Sequence, residues 1–244
     1  MSILPTENNK PATGVPAVFK MIVEGKSKVG KTTFAASFPD AVVIECEPGG
    51  AAFVKCPVLD ISKGKEPLKG LRMAIVELQS DTRFKTVILD TIDAVADLVS
   101  KEICAELGIA TIADAPKSAR HGVQWEKYAN EITGIVGALI ALPKSVIVLG
   151  HTKPASYDEK GVLKAAEGLD IYGKAARILY ARVDNIGHMS VVNVGGVTNT
   201  MLSFKGGMDS TRGSRHPQLR DQEILLPRDN GYAAFANLFT EVKK

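Results

Sequence analysis

The chain has 244 residues, 45% of them hydrophobic and 23% charged, with a formal net charge of +3. That is long enough for one large domain or two small ones and for a sizeable core, and too near neutrality for an overall basic field aimed at nucleic acid, so any such surface is local. Three cysteines, Cys46, Cys56 and Cys104, form no C-x-x-C pair, which argues against a disulfide framework or a structural zinc and suits a reducing cytoplasm.

Residues 1–16, rich in Pro, Asn and Thr, lack a signal-peptide apolar core and read as a flexible tail; residues 17–244 read as a single domain. "AVFKMIV" (17–23) predicts a strand, followed at once by "GKSKVGKTT" (25–33). The spacing Gly25-x-x-x-x-Gly30-Lys31-Thr32 fits a phosphate-binding loop at a strand-to-helix junction. Backbone N–H groups of such a loop form an anion nest at the helix N-terminus. Gly25, Lys26, Ser27, Lys28, Val29, Gly30, Lys31, Thr32 and Thr33 are therefore the candidate ATP-binding residues. Lys31 reaches the β- and γ-phosphates, and the Thr32 hydroxyl ligates Mg2+.

The helix runs through Ser37 and stops at Pro39; "AVVIE" (41–45) is a second buried strand. Glu47, two residues beyond it, is placed to orient or deprotonate an attacking water, with Glu45 as the alternative base; an exposed turn glutamate is the plainer reading. "PVLDI" (57–61) is a short strand and residues 66–80 a helix. "KTVILD" (85–90) is an apolar run ending in Asp90, the candidate metal-holding acid, and a helix follows. Asp93 reads as that helix's start rather than as a metal ligand. A long amphipathic helix then presents Val123, Tyr128, Ile132, Ile135, Val136 and Leu139 on one face. "SVIVLG" (145–150) is the next buried strand, and His151 after it is either a γ-phosphate sensor or a structural strand-end histidine. Residues 132–150 approach bilayer-spanning length, but Pro143 and Lys144 split them, so no membrane span is expected.

Alternating strands and helices predict an α/β fold with a mainly parallel sheet flanked by helices. Beyond residue 183 the pattern changes: a hairpin turning at Gly195-Gly196, then a closing helix in "YAAFANLFTEV".

The order of phosphate loop, Glu47, Asp90 and His151 resembles the RecA-type ATPase core over residues 17–190. The short chain, "ILDTIDAV" and "VLGHTKP" make it similar to the small phage-encoded RecA-like ATPases of the single-strand-annealing (Sak-type) recombination proteins. "ECE" replaces the more usual Asp-x-Glu, and no segment matches the longer RecA accessory domains. The resemblance implies a Mg2+-dependent, DNA-stimulated ATPase acting on single-stranded DNA in the bacterial cytoplasm. Its expected partners are further copies of itself, in a ring or short filament, and a single-stranded-DNA-binding protein. It also implies that loops 108–122 (Lys117, Arg120, His121) and 152–170 (Lys153, Tyr157, Lys160, Lys164) face the DNA. The basic stretch 204–220 reads by default as a solvated charged loop; its two functional readings are a DNA-backbone patch or the source of a cation inserted into a neighbour's ATP site, with Arg212 and Lys205 the first candidates and Arg215 next. Two other readings are a ParA/MinD-like partition ATPase, on the strength of Lys26, and a nucleotide-gated adaptor without hydrolysis.

Overall fold

The computed structural model describes residues 14–114, 116, 120, 122–227 and 230–240. Most of the expected tail, together with Lys117 and His121, lies outside the described residues.

The chain opens with β1 (Lys20–Gly25), α1 (Lys31–Ala36), β2 (Ala41–Glu45), β3 (Val58–Asp60) and α2 (Pro67–Ser80). It continues through β4 (Thr86–Asp90), α3 (Ile92–Leu107), α4 (Val123–Ile140) and β5 (Ser145–Gly150). Each of the four central strands β1, β2, β4 and β5 is a run of apolar residues buried along nearly its whole length. That is what a parallel sheet covered on both faces requires. Side chains alternate between two cores. Ile22, Ile44, Leu89 and Val148 meet Leu71, Val95, Ile132 and Leu139 on α2 to α4. Met21, Val23, Val43 and Ile88 meet the opposite layer.

Sequence periodicity does not reveal the second half as clearly. Residues 152–169 form two small antiparallel ribbons, β6 (Thr152–Lys153) with β9 (Gly168–Leu169), and β7 (Ser156–Tyr157) with β8 (Leu163–Ala165). Then comes α5 (Gly173–Arg182), a helix the sequence reading does not anticipate. The expected hairpin is present as β10 (Asn185–Val194) and β11 (Val197–Ser203), with Gly195 and Gly196 both at positive φ, as a two-residue hairpin turn requires. It is no appendage, however. The first half of β10 pairs parallel with β1, so the hairpin continues the main sheet. β12 (Gly213–Ser214) and β13 (Glu223–Leu226) pair with β10 and β11 respectively, giving the order β13-β11-β10-β1-β5-β4-β2-β3.

The closing helix α6 (Gly231–Thr240) covers the α1 face. Phe235 packs edge-on or tilted against Phe19, Phe34 and Phe38, with ring centroids 5.2–6.0 Å apart. On α4 the apolar face holds, except that Val123 at the helix start is only half-buried. Among the described residues no helix is long and apolar enough to cross a membrane.

The tightest backbone approach is at Gly25. A Cβ there would sit 2.3 Å from the Met189 carbonyl oxygen of β10. Gly25→Ala must therefore part β1 from β10, and is expected to destabilise the fold by about 2 kcal/mol or more. Urea unfolding reads this directly, and unchanged stability would mean the two strands are not so close.

Candidate active site

Strands β1, β5, β4 and β2 end side by side, with Glu24 opposite Gly150, Asp90 opposite Leu149, and Glu45 opposite Asp90. In open parallel sheets this carboxyl edge is where ligands bind. Between β1 and α1 the chain turns through residues 26–30, with Lys28 and Gly30 at positive φ and Val29 tucked into the core. Lys26, Ser27 and Lys28 remain exposed. Lys31 Nζ donates to the carbonyls of Gly25 and Lys26, both at 2.9 Å, so the ammonium lies within the loop's own arc. Burial lowers its pKa, opposed by Asp93, Asp90 and Glu47 nearby. A phosphate oxygen would favour the charged form in the same way.

Thr32 Oγ1 donates to Asp90 Oδ2 at 2.8 Å. Two hard oxygen ligands on adjoining elements, beside a nest for phosphates, fit Mg2+. Burial raises the Asp90 pKa, while Thr32 and Lys31 oppose the rise.

Glu47 follows β2 in the expected place and is exposed. Glu45 is different: buried, it accepts a hydrogen bond from the Ala51 backbone N–H at 2.8 Å and so anchors the loop that carries Glu47. His151 Nδ1 lies 2.7 Å from Asp93 Oδ2, and the His151 backbone N–H donates to Asp93 Oδ1 at 2.9 Å. Asp93 does sit in the first turn of α3, capped by Thr91, but it also fixes the imidazole, leaving Nε2 as the free ring nitrogen. Side-chain ligand atoms of Glu47, Asp93 and His151 lie within 4.8 Å of one another. A cavity of about 430 Å³ brings Ser27, Lys31, Thr32, Glu47, Asp90 and His151 together. Thr33 and the fully exposed ring of Phe53 also line it.

The basic stretch behaves otherwise. The Arg212 guanidinium pairs with Glu167 of its own chain, and Arg215 pairs with Asp184 at 3.1 Å. Lys205 is exposed, with no ion-pair partner among the described residues. The Arg212 pair adjoins a buried cluster missing from the sequence reading. Glu24, wholly buried at the end of β1, accepts from Tyr180 at 2.7 Å and from Thr211 at 3.2 Å. The Leu169 N–H in turn donates to Tyr180 Oη at 2.6 Å. A lone acid in the "KMIVEG" run was the available signal.

Burial, above all, pushes the Glu24 carboxyl up to about 7. A carboxyl raised in this way favours the fold while protonated. Its contribution is complete below the unfolded value, near 4.5, and is lost as pH rises through about 7. Glu24→Gln is therefore expected to be more stable than wild type above that range, with a difference on the order of 3 kcal/mol. Denaturation at several pH values reads the difference; parallel pH profiles would exclude a buried proton at Glu24.

The model of the AAA domain matches residues 18–216. The sequence matches no curated protein. Among solved structures, a KaiC-like protein from Pyrococcus horikoshii OT3 is 10% identical with a TM-score of 0.47, over 87% of each chain. Flagellar accessory protein FlaH from Methanocaldococcus jannaschii is 12% identical with a TM-score of 0.39, over 85% of this chain and 84% of its own.

Proposed function

The chain belongs to the AAA domain family, and from that premise we propose that it is a Mg2+-dependent ATPase whose hydrolysis is coupled to single-stranded DNA in recombination. The observation that carries the hydrolytic part is the Thr32–Asp90 contact of 2.8 Å beside Lys31, in the same cavity as Glu47 and His151. The backbone of residues 26–30 and Lys31 hold the phosphates, and Thr32 with Asp90 holds the metal. Bound there, Mg2+ would supply positive charge to offset that of the phosphates. Glu47, exposed and near His151, takes the proton of the attacking water or orients it. Asp93 holds His151 where the imidazole can respond to the γ-phosphate.

What supports the DNA part is the sequence resemblance together with the ribbon of β7 and β8. That ribbon exposes Tyr157 beside Lys160 and Lys164, a ring for stacking and cations for phosphates. Two of its acids are already engaged: Asp158 accepts from the backbone N–H groups of Lys160 and Val162, and Glu167 pairs with Arg212. Lys153 is partly engaged as well, donating to the Ile171 carbonyl at 2.8 Å. For the cation that stabilises transition-state charge, a neighbouring copy would use Lys205, because Arg212 is held within its own chain.

The test is steady-state ATP turnover with and without single-stranded DNA. Stimulation is expected in wild type, and stimulation by duplex DNA alone would point to a partition role instead. Lys31→Ala should abolish tight ATP binding; affinity within about threefold of wild type would overturn the phosphate-loop assignment. Glu47→Gln should bind ATP normally and turn over roughly a hundredfold more slowly. Unchanged turnover would remove Glu47 from the chemistry.

The assembly part has its own test, in which Glu47→Gln subunits are mixed with Lys205→Ala subunits. Activity restored on mixing supports a shared site, and a protein that stays monomeric with ATP and DNA excludes one.

A further inference from the structure

Beside the Mg2+ position at Thr32 and Asp90 lies a second set of ligand groups, of a different chemical kind. Glu47 comes from the loop after β2, Asp93 from the first turn of α3, and His151 from the residue after β5. One ligand atom of each lies within 4.8 Å of the other two. Among the described residues no other three His, Cys, Asp or Glu side chains meet so closely. Charge at this place favours a cation. Among the described residues Glu47 has no ion-pair partner, and Asp93 has only the His151 ring. The Lys31 ammonium, whose pKa Asp93, Asp90 and Glu47 all raise, directs two of its donors to the carbonyls of Gly25 and Lys26.

The donor set decides which cation. Mg2+ takes oxygen ligands in near-ideal octahedra, which suits Thr32 with Asp90. Two carboxylates with an imidazole suit Zn2+ and the neighbouring first-row ions, which accept nitrogen and fewer ligands. Ligands bound at about 2.0–2.2 Å to a tetrahedral ion stand about 3.5 Å from one another. Asp93 Oδ2 and His151 Nδ1 are 2.7 Å apart across a shared proton, so they need open by only about 1 Å. Glu47 can close the set, because it is exposed and has no side-chain hydrogen bond among the described residues to give up.

We propose that Glu47, Asp93 and His151 form a site for a divalent transition-metal ion of the Zn2+ class, distinct from the Mg2+ position, and that an ion there stops hydrolysis. The ion takes the place of the proton between Nδ1 and Oδ2, and the neutral ring carries its proton on Nε2 instead. Glu47, once a ligand, can no longer accept a proton from water. The shut-off rests on the ATPase reading above; the ion site itself does not.

Zn2+ and Co2+ are the probes, each in excess Mg2+ and without nucleotide. Wild type is expected to bind Zn2+, and Co2+ should give visible d–d absorption without a thiolate charge-transfer band, since no cysteine belongs to the set. His151→Gln and Asp93→Asn should each weaken Zn2+ binding about tenfold or more. Thr32→Val, which removes a ligand of the Mg2+ position alone, should stay within about threefold of wild type. Absence of Zn2+ binding by wild type, a thiolate band, or an equal loss in Thr32→Val overturns the site; the wild-type spectra do not depend on any variant folding. With Mg-ATP present, Zn2+ should lower wild-type turnover about tenfold or more while ATP stays bound. Ion binding with undiminished turnover refutes the shut-off. If wild type binds Zn2+ at these residues yet never hydrolyses ATP, the ATPase reading fails and the ion site stands.

Discussion

Everything at the site hangs on how closely β10 passes β1. Gly25 ends β1 with the Met189 carbonyl where a side chain would begin, 2.3 Å from the position of a Cβ. Only glycine lets the two strands stay paired to the last residue and still lets the chain turn away at once into the phosphate loop. Because the pairing holds, β10 delivers Met189 beside Gly30, and its continuation with β11 brings Thr200 to the same place. One missing side chain thus joins the N-terminal loop to strands more than a hundred and fifty residues later.

Much of the α/β core was legible because its strands are buried on both faces. "AVVIE" and "SVIVLG" match β2 and β5 residue for residue, since mostly apolar runs this short between turn residues have a strand's length rather than a helix's. The phosphate loop was legible for a different reason: its chemistry fixes residue types at fixed spacing. The place of β10 was not legible. A hairpin is a local object, readable from Gly195-Gly196 and the flanking β-branched residues. Parallel pairing of Asn185–Met189 with β1 is not local, and nothing in either segment names the other. Helix α5 escaped because its buried stripe consists of Ala175, Ala176 and Leu179, two of them too small to mark a face amid Lys174, Arg177 and Arg182.

Charged residues show the same division. Arg212 reads as a free cation in a Gly-rich stretch, but its partner Glu167 is 45 residues upstream. His151 and Asp93 are 58 residues apart and meet only because β4 and β5 are neighbours in the sheet. Glu24 is the most instructive case. An acid at the end of a buried strand costs free energy unless it is neutral or hydrogen-bonded. Here Tyr180 and Thr211 supply the bonds, and both come from segments that follow the core. The ribbons of 152–169, α5 and the stretch around Arg212 are thereby fastened to the strand that carries the phosphate loop.

Four carboxylates crowd the ends of β2 and β4: Glu45, Glu47, Asp90 and Asp93, the last three of them close to Lys31. Residue type cannot assign them roles, because all are acids near strand ends. Their neighbours can. Glu45 is spent on the Ala51 backbone, Asp90 faces the Thr32 hydroxyl, and Asp93 holds both the backbone and the ring of His151. Each of these three is constrained in one geometry. Glu47 is exposed and, among the described residues, has no side-chain hydrogen-bond partner, yet it lines the same cavity as Lys31 and Asp90. The base proposed above must release and regain a proton while water comes and goes, and Glu47 is the carboxylate with no structural duty. Three of these acids, Asp93, Asp90 and Glu47, also oppose the lowering of the Lys31 pKa that burial causes, as a bound phosphate would.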